Sequence, residues 1–432
     1  MTGAHDPNLV AWQVLVACWL VVVGAYAAWR LSRGDPRTMW FVQLVHVAFC
    51  GMPLALDLVV GPPVYTYQVG FAQSQFDGRT NVAYLAYISL VPLVLWWSGS
   101  IGVARVSEPP RDLPTPWWGR VLAWACLASP LATVALAPMP SLYLQPAAIL
   151  GPVNEASRSW HVVVTMALNA ATIAGAFVLA TPGPLLARVV AVPLLSAALW
   201  IAGKRALVAM AAALVLFVHW RRGGLRGARL LVAGGMVAGG ILLFSAVYER
   251  AFRAQVMGSD AEVGIPLAAS TAWVNFRVDF GRDAVIKQAI FAELHPEAPR
   301  ILAYRGQSLL FDLAVLVPRS LWPQKPLPYA SYATSAMLGI PSTELGWGVT
   351  TSWLDEAIAN AGWLGFLLGP LVPGLVCAIG DRRGGQVSRM LTVVVATLLL
   401  TVNRVAFLVL AAAWVVSLVM PAPGPRGDLR TG

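Results

Sequence analysis

Charge is scarce in this sequence. Only 12% of its 432 residues are Asp, Glu, Lys or Arg, against 58% that are hydrophobic, whereas a soluble globular domain carries about 25% charged residues. That shortage excludes a chain whose whole surface faces water. Cysteine is almost absent as well: Cys18, Cys50, Cys126 and Cys377 form no Cys-x-x-Cys pair and have no His cluster nearby, so they read as packing residues. There is no Asp-x-Asp and no His-Glu-x-x-His, which removes the usual ligand sets of metal-dependent sugar transfer and zinc proteolysis. No metal or other cofactor is expected. No basic residue precedes the first apolar run and no small-residue cleavage site follows it, so that run reads as a retained segment and not as a removable signal peptide.

What is abundant is the apolar run of about twenty residues, enough for a helix to cross roughly 30 Å of hydrocarbon. Such runs cover 9–29, 39–60, 82–104, 119–138, 161–180, 186–201, 206–220, 229–248 and 361–380. The stretch 390–420 is too long for one span and is predicted to break at Asn403-Arg404, giving about eleven spans. The expected fold is all-α, a polytopic helical membrane protein. Its parts are a transmembrane bundle over 1–248 with about eight spans, a loop over 249–360, C-terminal spans over 361–420 and a tail over 421–432.

Arginine fixes the orientation, because cytoplasmic connections retain basic residues. Arg30, Arg33 and Arg37, then Arg105, Arg111 and Arg120, then Arg221, Arg222, Arg226 and Arg229, then Arg382, Arg383 and Arg389 occupy alternate connections. Those connections are inside, the N-terminus is outside and the C-terminus inside. The net charge of +10 is therefore a topology signal and does not imply a nucleic-acid partner. Gly235-x-x-x-Gly239 and Gly365-x-x-x-Gly369 are spaced for close helix approach.

The loop over 249–360 lies outside and mixes both signs of charge, and a loop of that length is usually functional. Residues 272–294 are predicted to form a helix along the membrane surface. Two readings of it stay open: a solvated amphipathic helix with Asp283 paired to Lys287, or Arg277 and Arg282 facing an anionic ligand. The apolar run 309–317 is too short to span and predicts a re-entrant or interfacial helix. Pro318, Pro323 and Pro326 then impose a stiff segment that presents Arg319, Trp322 and Lys325. A helix starting at Thr350, Thr351 or Ser352 places Glu356 and Asn360 on one face.

Two charged groups interrupt apolar sequence, Lys204-Arg205 and Arg404. Charges at membrane depth cost roughly 2.5–3.5 kcal/mol on insertion scales and tend to mark functional cavities. An internal ion pair of Arg404 with Asp57 is the structural alternative. Cations gathered at an outer rim suit a lipid-linked diphosphate, since Arg makes bidentate contacts to phosphate oxygens.

Several motifs in order carry a resemblance: Gly203-Lys204-Arg205, Arg277-x-Asp279, Pro318-Arg319-Ser320-Leu321-Trp322-Pro323-x-Lys325-Pro326, and Glu356-x-x-x-Asn360-x-Gly362-x-x-Gly365. Over residues 199–418 the chain resembles the Wzy-type O-antigen and exopolysaccharide repeat-unit polymerases; the first five spans share only hydropathy with them. The resemblance implies a metal-independent, inverting glycosyltransferase of the bacterial plasma membrane. Its substrate would be an undecaprenyl-diphosphate-linked oligosaccharide, its surroundings the lipid bilayer, and its partners a chain-length regulator and a flippase. It implies diphosphate binding by Lys204, Arg205, Arg277, Arg319 and Arg404. Glu356, then Asp279, then Glu344 are the candidate bases, and Trp322, Lys325 and Asn360 the sugar or lipid contacts. The related ligases carry a functional His close to the span that follows the loop. Here the only loop His is His295, far upstream, which disfavours ligation of glycan to another acceptor. A flippase or transporter of lipid-linked sugars is the non-enzymatic alternative, disfavoured by the lack of an internal repeat.

Overall fold

The computed structural model describes residues 7–103, 117–144, 155–180, 183–203, 205–221, 223, 225–248, 274, 276–278, 280–315, 317, 319, 321–344, 348–383, 386–402 and 404–419. Among them the elements are helical and none is a strand. In chain order they are α1 (Pro7–Ser32), α2 (Met39–Val59), α3 (Val69–Phe76), α4 (Gly78–Ser100), α5 (Trp117–Ala135), α6 (Glu155–Ala180), α7 (Leu185–Ala202) and α8 (Arg205–Arg221). There follow α9 (Ala228–Tyr248), α10 (Asp283–Leu294), α11 (Gln307–Leu313), α12 (Tyr329–Leu338), α13 (Trp353–Ala361), α14 (Trp363–Arg382), α15 (Gln386–Thr401) and α16 (Leu408–Val419).

Five of these, α1, α2, α4, α7 and α14, are long and apolar enough to cross a bilayer, and shorter apolar stretches lie in α5, α6, α8, α9, α15 and α16. Large apolar side chains cover their outsides: Val21 is 64% exposed, Met236 67% and Leu185 75%. Apolar surface on this scale is an aggregation hazard in water and is stable in hydrocarbon, where helices already satisfy their backbone polar groups. The architecture is that of a helical membrane protein.

Two cores hold the helices together. The larger gathers α1, α2, α4, α10, α13, α14 and α15 around Tyr87, Ile88, Val91, Ile286, Ile290, Ile358 and Ala396, all fully buried. The smaller joins α5, α6 and α7 around Leu127, Leu168, Ala171, Ala191 and Ala198.

The loop departs from expectation in its first part. The described portion of 272–294 is helical, as expected, on both sides of an interruption at Gly281-Arg282, but it does not lie on a surface: the helix resumes as α10 at Asp283, and every residue from Asp283 to Ile290 is buried. Its charged residues are partnered within the bundle, so they never form the water-facing stripe that their spacing suggests. The apolar run at 309–317 gives only α11, which stops at Leu313.

The interruption expected at Asn403-Arg404 is present as a tight turn, Arg404–Phe407, between α15 and α16. Gly203 closes α7 in the left-handed region at φ 54°, which only glycine adopts without cost. Gly365 meets its expected role: a Cβ there would collide with the backbone of Ala357, so α13 and α14 touch through it. Gly235 and Gly239 make no such approach among the described residues, where a Cβ on either would meet nothing within 4 Å.

Candidate functional site

A proline in α2 prepares the ground. Pro53 brings no N–H to the carbonyl four residues earlier, that of Phe49, and the helix widens into a π-turn over Val47–Gly51. The freed Phe49 carbonyl accepts the backbone N–H of Arg282 at 2.9 Å. The Arg282 guanidinium lies 5.0 Å from the Phe49 ring centre and donates to the Thr401 carbonyl from Nε (3.0 Å) and Nη2 (2.6 Å). One residue thus ties the loop to the bend in α2 and to the end of α15.

Beside it lies the first charged cluster. Arg277 pairs with Asp57 through Nη1 and with Asp283 through Nη2 (2.6 Å). Its side chain is 1% exposed. A Cβ on Gly281 would strike Asp283 Oδ1 and the Arg277 carbonyl, so the turn that folds Asp283 back onto Arg277 requires glycine. Lys287 does not pair with Asp283; its Nζ sits 5.0 Å from the Tyr84 ring centre.

The second cluster is built on α13. Ser352 caps that helix reciprocally: its side chain accepts the Asp355 backbone N–H, and Asp355 accepts the Ser352 backbone N–H at 2.7 Å and also its hydroxyl, the capping-box arrangement. Burial in apolar surroundings pushes the Asp355 carboxyl up to about 7, against the Ser352 hydrogen bonds. One residue on, Glu356 turns toward α11 and the turn after α15. Its Oε1 accepts Arg404 Nη2 (2.6 Å) and Ser308 Oγ (2.6 Å), and its Oε2 accepts Arg404 Nε (3.0 Å). Asn360 shares that face, with Nδ2 donating to Ser308 Oγ (2.7 Å) and to the Glu356 carbonyl (2.8 Å).

Arg404 Nη2 also lies 2.8 Å from Asp312 Oδ2. Its guanidinium is 4.8 Å from the Trp353 ring centre, within cation–π range. Two carboxylates therefore share one guanidinium. Burial pushes Asp312 up to about 6, with Arg404 opposing the rise and Glu356 adding to it.

Of the cations expected to converge, those whose side chains are described, Arg277, Arg319 and Arg404, each hold different partners within the protein. Arg277 and Arg282 face protein acceptors: Asp57 of α2 and Asp283 for the first, the carbonyls of Thr401 at the end of α15 and of Gly281 for the second. Asp57 partners Arg277, while Arg404 takes Glu356 and Asp312. Arg319 is exposed, yet its guanidinium holds its own loop through the carbonyls of Lys325 (2.9 Å) and Pro326 (3.1 Å). Lys325 is buried and donates to the carbonyls of Val315 (2.9 Å) and Val317 (3.0 Å). Prolines lack N–H groups, so the carbonyls of this segment have few backbone donors to meet, and the two cations satisfy them. Trp322 is half-buried, and Glu344 is exposed in the turn after Pro341, outside the cluster. Lys204, Asp279, Asn403 and the side chain of Arg205 lie outside the described residues.

Asp312, Ser308 and Trp353 were not singled out by the sequence. A signal existed for the first two: a hydroxyl and an acid at i, i+4 inside an otherwise apolar run.

Fold and site together define a helical membrane protein with a buried guanidinium–carboxylate centre where a loop re-enters the bundle. No family model, curated protein or solved structure matches the chain.

Proposed function

We propose that the protein is a membrane glycosyltransferase that polymerises oligosaccharide units carried on a polyprenyl diphosphate, at the outer face of the bacterial plasma membrane and without a metal ion. On this reading about eleven helices span, the N-terminus is outside and the C-terminus inside. The observation that carries it is Arg404 held between Glu356 and Asp312. Isolated buried charges cost several kcal/mol each, and two carboxylates on one guanidinium leave a negative charge over. Such a surplus suits a site that accepts a proton.

Glycosyl transfer needs that capacity. The acceptor hydroxyl loses its proton as its oxygen bonds to the anomeric carbon, and the anomeric C–O bond to diphosphate breaks, the diphosphate leaving with the electron pair. The order of the polymerase-like motifs supports the same reading. Since Arg277, Arg319 and Arg404 have partners within the protein, the departing diphosphate falls to Lys204 and Arg205 at the start of α8, cations that stabilise the developing charge.

The test is the full chain reconstituted in liposomes with a polyprenyl-diphosphate-linked oligosaccharide. A ladder of lengthened glycan and one released polyprenyl diphosphate per linkage are expected, insensitive to chelator and lost in Arg205→Ala. Movement of the intact lipid-linked unit across the bilayer without lengthening would overturn the proposal in favour of transport.

A further inference from the structure

The two carboxylates on Arg404 are not equivalent. Glu356 is closely held: Arg404 and Ser308 make three hydrogen bonds to its two oxygens, and its side chain is 3% exposed. That burial leaves its carboxylate little room for a substrate. Asp312 touches Arg404 alone, through Oδ2, and accepts no aligned hydrogen bond among the described residues. Its side chain is 13% exposed, and the next residue, Leu313, is 85% exposed. Asp312 therefore reaches the surface beside Leu313, with Oδ1 unengaged.

We infer that Asp312 is the group that takes the proton from the acceptor hydroxyl, and that Glu356 is a positioning residue acting through Arg404; the inference rests on the glycosyl-transfer reading above. In the step, the acceptor O–H proton passes to an Asp312 oxygen while the hydroxyl oxygen bonds to the anomeric carbon. The anomeric C–O bond breaks and its electron pair leaves with the diphosphate. Asp312 then releases the proton to solvent.

The charged groups facing Asp312 are Arg404 and Glu356. A carboxyl raised to about 6 is still ionised at neutral pH, yet it holds a proton more firmly than an ordinary Asp, which suits a general base. Removing the Glu356 charge lowers this value, because a like charge nearby is what helps to raise it.

The experiment measures initial rates of transfer by the reconstituted full chain from about pH 5 to pH 9, with helicity and monodispersity in detergent as folding checks. The wild-type rate should rise through an apparent pKa near 6. Asp312→Asn should lower kcat by about 10²- to 10⁴-fold, abolish the acid limb and leave KM for the lipid-linked donor nearly unchanged. Asp312→Glu should keep the limb. Glu356→Gln should lower the rate, keep the limb and move it to lower pH. An Asp312→Asn enzyme with wild-type rate and profile overturns the assignment, as does a Glu356→Gln enzyme that loses the limb while Asp312→Asn retains it. Absence of transfer by the wild type at every pH overturns the glycosyl-transfer reading itself.

Discussion

Arg277 and Arg404 have the same composition around them and opposite relations to the surface. Each guanidinium lies between two carboxylates, Asp57 and Asp283 for the first, Glu356 and Asp312 for the second. The acids are alike, 11% and 7% exposed around Arg277 and 13% and 3% around Arg404, and the difference lies in the guanidinium, 1% exposed in the first and 14% in the second. A sealed triad can only hold helices together. An open one can exchange a partner or a proton with an incoming molecule. The difference arises from neighbours: the bend in α2 and the Gly281 turn close over Arg277, while short α11 ends beside Arg404 and leaves an edge.

If that contrast is right, the largest effect on stability belongs to the sealed triad. Arg277→Ala should destabilise the fold by about 3–5 kcal/mol, the cost of stranding buried carboxylates, read as loss of folded protein in detergent or a large fall in Tm. A variant that melts with the wild type would break the comparison, because the triad would then contribute nothing to the architecture.

The open triad should show its effect in rate before stability. Arg404→Lys keeps the positive charge but loses the fork that spans both Glu356 oxygens. One charge-assisted hydrogen bond is worth about 1.5–3 kcal/mol, so transfer should slow by about 10- to 150-fold. The fold should survive, as measured by the same melt. Equal losses of Tm in Arg277→Ala and Arg404→Lys would erase the distinction between the two sites.

The outline of both regions was readable where it depends on neighbours in sequence. Apolar runs mark the helices because hydropathy is local. The break at Asn403-Arg404 follows from a charge inside an over-long apolar run, a cap among Thr350, Thr351 and Ser352 from residue type, and the shared face of Glu356 and Asn360 from a spacing of one helical turn. Pairings across the chain were not readable. Arg277 and Asp57 lie 220 residues apart, and nothing in either segment distinguishes that pair from Asp57 with Arg404. The burial of α10 was hidden for the same reason: Asp283 and Lys287 fit a solvated i, i+4 pair, and only the returning chain reveals their actual neighbours. Arg319 and Lys325 resembled ligand-binding cations because the need of a proline-rich segment for carbonyl donors is invisible in residue spacing.

A third buried carboxylate sharpens the contrast with the effect that is smallest over any one pH unit. Asp355 is fully buried and makes no ion pair among the described residues. Its carboxyl is raised from 3.8 to about 7, so between those values the folded state binds a proton that the unfolded state has released. Stability must then fall as pH rises from 3.8 to about 7, with a slope of at most about 1.4 kcal/mol per pH unit for the one proton, and level off above. Asp355→Asn should remove that slope. Asn can still accept the Ser352 backbone N–H, so below 3.8 the variant should match the wild type within about 1 kcal/mol, gain on it as pH rises toward about 7 and keep a constant lead above. Thermal melts across this range would settle it, and parallel curves for the two proteins would mean that Asp355 stays ionised without an arginine. That outcome would also weaken the case that Arg277 and Arg404 are present because buried carboxylates need them.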